Sequence, residues 1–533
     1  MRTEKFEVVF GDLKTQPKKN QVVLVTTLST WNDFGFYPSM AIYYLNESND
    51  VKSRGAMFGH MNHKYGKQFH ELAEEFNARK ESPSSDIEYF TMLAEMKDYR
   101  GLVDDLGSDS AKALLSSIND VVVAKESNPE WLGKALITEV FRRAFMRNSE
   151  QFFTYHNALP ILSGLNNENL KAISSSLNLE FRLNNFRSSH LIPLRFDSDR
   201  VIPKRINVLI GKNGLGKSQA LYRFSEALLQ INGDDTELRV NEPGLTRPMV
   251  NRLIVIGTPG ETGEGFPKVD LDEQKIYYRY LELNSEVPDV GSLGEELVKL
   301  ARNIETIGDK SRWAIFIEAI SQILPIKRLY IKLKNGKEVA ISDLYGGYSE
   351  QDQLDQWSTA SVATEVFIRD EFETEFYPLS SGQLTFFKFT LLMANFIENG
   401  SYVLIDEPET HLHPQFVSQF IDLLDTFLKN SGSFAIIATH SPYVVREVTR
   451  DQVHLFREDG AASVNVTNPR LRTFGADIES ISQFVFDEDS SSRLTDKVYK
   501  SVKNMEFSEV EEYLGDEISI SALMDIKRRM EDA

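Results

Sequence analysis

The chain reads as an α/β protein: a parallel or mixed sheet with crossover helices, split by an inserted, mainly helical arm and preceded by a separate α+β region. Three observations predict this. An apolar strand, RINVLIG from Arg205, runs straight into a glycine loop and then an amphipathic helix, SQALYRFSEALLQ from Ser218. After Pro378 the chain alternates helix, strand, helix, strand and helix, a rhythm that implies parallel strands joined by crossovers. The later strands, YVLIDE from Tyr402 and FAIIATH from Phe434, are continuous apolar runs, as expected where helices cover both faces of a sheet.

Taken in order, residues 1–178 hold strand candidates KFEVVF from Lys5, QVVLVTTL from Gln21 and MAIYYL from Met40, separated by polar and glycine turns. Apolar residues spaced at three and four then predict helices in FHELAEEFNARK from Phe69, DIEYFTMLAEMKDYRGLVDDL from Asp86, AKALLSSINDVVV from Ala111 and LGKALITEVFRRAFM from Leu132. Residues 179–270 carry short strands, LEFRLNNFRSS from Leu179, LIPLRFD from Leu191 and RINVLIG, followed by the glycine loop, its helix and the strand RLIVIG from Arg252. The inserted arm is assigned to 271–375. It includes one hairpin, RLYIKLKNGKEVAI from Arg328, turned at Asn335-Gly336. Its period-two pattern sets Leu329, Ile331 and Leu333 against Arg328, Tyr330, Lys332 and Lys334. Residues 376–490 complete the head, and 491–533 form a helical tail.

A formal net charge of -20 over 533 residues argues against a protein that coats nucleic acid nonspecifically, because such binding draws on broad basic surface. It suits a protein partner with basic patches. With no cysteine there are no disulfides, thiolate zinc sites or cysteine nucleophiles. The N-terminus lacks the apolar stretch of a secretory signal, and no run approaches the roughly 18 apolar residues of a membrane span. The expected compartment is the cytoplasm, with no membrane partner.

The chemistry concentrates in four segments. GKNGLGKS, Gly211 to Ser218, satisfies every fixed position of G-x-x-x-x-G-K-[ST] and sits between a strand and a helix, where a phosphate loop belongs. The backbone from Lys212 through Asn213, Gly214, Leu215 and Gly216 to Lys217, with Ser218 and Gln219 opening the helix, is the expected phosphate cradle. Lys217 reaches the outer phosphates and Ser218 ligates Mg²⁺. YVLIDEPE brings Asp406 and Glu407 to a strand end: Asp406 suits Mg²⁺, through water, and Glu407 suits a general base. FAIIATHSP delivers His440 to the end of a second buried strand, where an imidazole is expected near the γ-phosphate as sensor or hydrogen-bond donor. LSSGQ, Leu379 to Gln383, precedes a helix whose N-terminus offers an anion site through Ser380, Ser381, Gly382 and Gln383.

The ordered set GKNGLGKS, LSSGQ, VLIDEPETHLHP and ATHSP resembles the ABC-type ATPases of the SMC, RecF and OLD-like branch. That resemblance implies an ATP-hydrolysing head using ATP and Mg²⁺ and pairing head to tail. Ser380 and Gly382 of one chain would cap the phosphate held by another, while Lys217, Ser218, Asp406, Glu407 and His440 act within their own chain. A homodimer or higher homo-oligomer follows. Ser381 stands where the family's signature has glycine, and Gly257 to Glu264 lacks the glutamine that the family places near Mg²⁺. Glu409, His411, His413 and Pro414 resemble the family's loop after the acidic strand; two histidines with no third ligand make a poor metal site, so the segment reads as a loop that packs at the dimer interface and orders Glu407.

RLIVIG at Arg252, YYRYLEL at Tyr277, the long insertion and RTFGADIESISQFVF at Arg472 look most like the PtuA-type ATPases of Septu and retron antiphage systems, over roughly residues 180 to 490. This implies a regulatory ATPase without nuclease activity of its own. It would hold a separate HNH-type nuclease and, in some systems, a reverse transcriptase with its RNA–DNA product. The alternative is a RecF-like or SMC-like maintenance ATPase that clamps DNA directly, with the basic face of the Arg328–Lys337 hairpin as its contact. An SMC arm needs sustained heptads, and none lie between the phosphate loop and LSSGQ. A Toprim nuclease does not fit in the fewer than about a hundred residues after His440, where DEDSSS from Asp487 reads as a polar loop. His60, His63 and His70 lack the pattern of a metal or HNH site and read as surface or packing residues.

Overall fold

The computed structural model describes residues 5–12, 14–26, 38–61, 89–162, 173–197, 200–231, 236–242, 245, 247–257, 266–267, 276–282, 293–303, 305–308, 310–332, 337–345, 360, 365–369, 375–411, 414–460, 463–486, 493–515 and 517–531. At the N-terminus β1 (Glu7–Gly11), β2 (Gln21–Thr26), β3 (Ser39–Leu45), β4 (Val51–His60) and β5 (Tyr89–Leu93) form one sheet in that order. The first pair is parallel and the rest antiparallel. The first three strands match the sequence reading. The fifth corrects it: the stretch from Asp86 has helical spacing, yet Tyr89–Leu93 is a strand, and the helix begins at Met96. All five residues of β5 are buried, so both faces of the segment are apolar and periodicity loses its power to choose; pairing with β4 decides. The helix expected from Phe69, with His63 and His70, lies outside the described residues.

The central sheet has seven strands in the order β11-β10-β18-β19-β8-β20-β21. They are β8 (Ile206–Gly211), β10 (Arg252–Gly257), β11 (Tyr277–Glu282), β18 (Ser401–Asp406), β19 (Phe434–Thr439), β20 (Val453–Glu458) and β21 (Val464–Thr467). Pairing is parallel throughout except between the last two. Each continuous apolar run splits between two cores, because side chains alternate across the sheet. Val403 and Ile405 of β18 face one core with Ile254, Val208 and Ile437, while Tyr402 and Leu404 face the other with Leu253, Leu209 and Ile436. The helices Ser381–Phe396 and Pro414–Ser431 cover the first face. The second is covered by the helix Lys217–Leu229 and a three-stranded sheet of β7 (His190–Arg195), β6 (Ser176–Phe181) and β9 (Thr236–Val240).

That second core does not stop at the head. It is continuous with the apolar interior of the N-terminal sheet and its helices, so residues 1–178 are not separately cored, in contrast to the expectation of a separate region. A buried ionic hub reinforces the joint. Glu398, just past the helix Ser381–Phe396, accepts from Arg100 at 2.6 Å and from Arg312 at 2.8 Å, all three almost completely buried. Arg100 comes from the N-terminal helix Met96–Ser117 and Arg312 opens the arm helix Arg312–Ile320, so three parts of the chain meet at one carboxylate.

The arm also departs from expectation. Tyr277–Glu282 belongs to the central sheet, which therefore runs past residue 270. The described remainder pairs two helices, Leu293–Arg302 and Arg312–Ile320, with a two-residue ladder of β12 (Thr306–Ile307) and β13 (Lys310–Ser311). A four-stranded antiparallel sheet accompanies them, ordered β15-β14-β16-β17: Glu338–Ala340, Leu329–Lys332, Val366–Arg369 and Phe376–Pro378. It is therefore a mixed helix and sheet unit, and the strand content was hidden because β16 and β17 are too short to show a period. The β14–β15 hairpin forms with the predicted faces, Leu329 and Ile331 being buried. Leu333, Lys334 and the Asn335-Gly336 turn lie outside the described residues. On the other face Tyr330 packs edge-on against Phe376 and Arg328 donates to the Arg369 carbonyl at 2.7 Å, so part of the face read as a nucleic-acid contact is engaged within the arm itself. The helices Arg493–Val502, Phe507–Leu514 and Ile520–Glu531 pack around a small core of Val502, Val510, Leu523 and Ile526.

Candidate nucleotide site

At the carboxyl edge of the central sheet, β8 delivers the phosphate loop, β19 delivers His440 and β18 delivers Asp406 and Glu407, on three neighbouring strands. Residues separated by more than two hundred positions thus share one cleft, the usual place for ligands in parallel sheets. A cavity of about 670 Å³ opens there, lined by Asn213, Gly214, Gly216, Lys217, Ser218, Gln219, Glu407 and His440 of the sequence-predicted set. Its size falls in the range of about 300–1,000 Å³ usual for small-molecule sites.

Gly216 caps the helix Lys217–Leu229 at φ +97°, and a Cβ there would stand 2.9 Å from Leu183 Cδ1, so the loop's curvature needs glycine at this point. Lys217 Nζ folds back over the loop, donating to the Gly211 carbonyl at 3.0 Å and the Lys212 carbonyl at 3.1 Å. Burial brings its amine down to about 8, against the pull of the Glu407, Asp406 and Glu409 carboxylates. Ser218 Oγ donates to Asp406 Oδ1 at 3.0 Å. Asp406 stands behind Ser218 at 2% exposure; burial, with Glu407 and Glu409 adding, pushes its carboxyl up to about 7 despite the Ser218 hydrogen bond. A carboxyl so placed, beside the Ser218 hydroxyl and with the Glu407 and Glu409 carboxylates near, fits a divalent cation, which Ser218 and Asp406 would hold.

Glu407 adopts a left-handed backbone, φ +49°, a strain of about 1–3 kcal/mol that surrounding bonds must hold. Its N–H donates to the Ala438 carbonyl at 2.8 Å and its carbonyl accepts from Thr410 N–H at 3.2 Å. The turn swings its carboxylate to 3.2 Å from His440 Nε2. Burial, and then the Lys217 charge, lower the His440 pKa, favouring a neutral ring that donates through Nε2 to Glu407.

Three predicted groups stand apart from the cavity. Leu215 turns inward, and its carbonyl meets His190 Nε2 at 3.1 Å beneath the loop. Lys212 is exposed. Ser380 caps the helix Ser381–Phe396 by accepting from Gln383 N–H at 3.4 Å while its own N–H donates to Gln383 Oε1 at 3.0 Å, and this helix end, with Ser381 and Gly382, does not line the cavity of its own chain. His413 and residues 258–265 lie outside the described residues. Sequence reading missed one wall: Leu183, Asn184, Asn185 and Phe186, with Arg223 from the phosphate-loop helix. LEFRLNNFRSS was taken as one strand, but β6 ends at Phe181 and Phe186 N–H closes a turn onto the Leu183 carbonyl at 2.9 Å. The Asn184-Asn185 pair was the available signal, since asparagine favours turns.

Residues 271–446, a third of the chain, match the family described as "AAA domain, putative AbiEii toxin, Type IV TA system". Protein ea59 of Escherichia phage lambda is 25% identical over 487 residues, covering 86% of this chain and 84% of that protein. Among solved structures, cbiO1 from Clostridium perfringens, part of the ABC transporter complex cbiONQ, aligns at TM-score 0.29 and 12% identity, over 64% of this chain and 98% of that one. The SMC head domain from Thermotoga maritima aligns at TM-score 0.29 and 16% identity, over 56% and 99%. Superpositions this loose leave the assignment to the strand order, the site and the family match. What the chain shows is the match to an AAA domain over residues 271–446, on a parallel sheet whose edge carries the glycine loop and the acidic pair.

Proposed function

We propose that the chain binds ATP with Mg²⁺ in this cavity and hydrolyses it within a head-to-tail pair of copies. The observation that carries the reading is the convergence on one cavity of the phosphate loop, the Ser218–Asp406 contact and the Glu407–His440 pair. Mg²⁺, when bound, offsets the charge of the phosphates. Ser218 and Asp406 are the residues to hold it. The Lys217 ammonium, bonded in this state to two loop carbonyls, exchanges them for phosphate oxygens. Glu407 takes the proton of the attacking water, and His440 keeps that carboxylate aimed. The separation of the capped Ser380–Gln383 helix end from its own cavity supports its acting on the site of a second copy, where its free N–H groups would meet the outer phosphate.

At the level of biology, this ATPase regulates a separate nuclease in an antiphage defence complex. The resemblance of the motif order to PtuA-type ATPases supports this, and a phage-encoded relative is in keeping with a role played out during infection. An HNH-type nuclease is the expected partner, in some systems with a reverse transcriptase and its RNA–DNA product. The decisive test is ATP turnover and solution mass, with and without ATP, for the wild type and Glu407→Gln. Turnover should fall by about 10²–10⁴-fold while ATP-bound dimers accumulate. Unchanged turnover and mass would withdraw the catalytic reading, leaving a nucleotide-binding scaffold.

A further inference from the structure

Beside the catalytic pair stands a third carboxylate that the mechanism above does not use. Glu409 sits in the short turn Pro408–His411 that follows β18, and its Oε1 reaches across to the end of β19. There it accepts from Thr439 Oγ1 at 2.6 Å and from the backbone N–H of His440 at 2.6 Å. Thr439 Oγ1 in turn accepts from the Ser441 N–H at 2.9 Å. One carboxylate oxygen therefore gathers, directly or through one hydroxyl, the donors of three consecutive residues around His440. Glu409 Oε2 is buried and has no hydrogen-bond partner among the described residues. A carboxylate left half satisfied costs stability, so its retention here needs a reason beyond closing a turn.

The geometry supplies one. β18 and β19 are adjacent and parallel, so their ends lie side by side, and each contributes one member of the Glu407–His440 pair. The Glu407 backbone is tied to β19 through Ala438, and the His440 backbone is tied to the β18 turn through Glu409, so the two strand ends are cross-linked in both directions. A side chain whose backbone is fixed loses less freedom when its ring engages a partner. We infer that Glu409 is a positioning residue: it clamps the backbone of His440 so that the imidazole holds the Glu407 carboxylate in its water-activating orientation before nucleotide arrives. This rests on the ATPase reading proposed above.

The test uses the full chain carrying Glu409→Ala or Glu409→Gln. Alanine removes the acceptor; glutamine loses the charge but keeps an oxygen that can accept from both donors. The alanine variant should lose about 10- to 100-fold in kcat, the scale of a misplaced catalytic group, with KM for ATP within about twofold of wild type, and glutamine should restore most of the loss. Hydrogen exchange of the peptide spanning residues 434–446 gives a readout independent of turnover: the amides at 440 and 441 should exchange faster in the alanine variant and at the wild-type rate in the glutamine variant. Loss of kcat in both variants to the same extent would overturn the clamp, as would an alanine variant with wild-type kcat and wild-type exchange. A wild-type protein without turnover would refute the ATPase proposal instead, and the exchange comparison would still decide whether the clamp exists.

Discussion

Glu398→Gln removes a single charge from the centre of the molecule while leaving its size and one acceptor oxygen in place. Burial by itself would raise this carboxyl; the Arg100, Arg312 and Arg252 guanidinium groups more than reverse that and hold it down to about 2, against an ordinary 4.5. A carboxylate held down by that much contributes about 3 kcal/mol at neutral pH, each tenfold change in acidity being worth about 1.4 kcal/mol. Removing one partner of a buried ion pair independently predicts about 3–5 kcal/mol. The variant should therefore lose about 3 kcal/mol in urea unfolding followed by tryptophan fluorescence, to which buried Trp313, next to Arg312, contributes. The sign with pH is fixed by the depressed value. The stabilisation is complete above the unfolded carboxyl's 4.5 and is lost as pH falls through about 2, so the gap between wild type and variant should be constant at neutral pH and shrink below about pH 4.5. A loss under about 1 kcal/mol, or a gap that widens with acid, would refute the hub as the joint between the N-terminal region, the arm and the head.

Three further outcomes follow from the site. Lys217→Ala and Ser380→Arg should each abolish turnover alone, and an equimolar mixture should recover part of it, because a mixed pair retains one intact composite site; a mixture as inactive as its components would argue against head-to-tail assembly. Gly216→Ala forces an L side chain into a left-handed cap and sets its Cβ 2.9 Å from Leu183, so affinity for a fluorescent ATP analogue should fall by about tenfold or more, consistent with a backbone strain of about 1–3 kcal/mol. Phe186→Ala removes an apolar wall of the cavity and should raise KM for ATP several-fold while leaving kcat within about twofold, as expected for uniform binding; a fall in kcat alone would place Phe186 elsewhere in the cycle.

What could be read along the chain was whatever chemistry is local. The phosphate loop is eight consecutive residues in which the glycines shape the backbone and the Lys217 and Ser218 side chains close the loop, so spacing suffices. The placement of Asp406, Glu407 and His440 at strand ends was legible because a buried parallel strand announces itself as an apolar run. The first three strands, the β14–β15 hairpin and the crossover rhythm after Pro378 were legible on the same grounds.

The remainder depended on pairing between distant segments. Tyr89–Leu93 carries helical spacing and becomes a strand because β4 supplies partners and both its faces are covered. The Leu183–Phe186 wall is a turn whose only role comes from lying against a loop thirty residues away. The union of the N-terminal region with the head, and the Arg100–Glu398–Arg312 hub that ties it, join residues almost three hundred positions apart. Glu409 belongs with these: its neighbours in sequence made it part of a loop, while the strand beside it made it a clamp. The sequence by itself determined the motifs on which the proposed nucleotide chemistry rests, since these are short runs at strand and helix ends; the tertiary structure decided what surrounds and steadies them, since burial and long-range hydrogen bonds exist only once the sheet has brought the segments together.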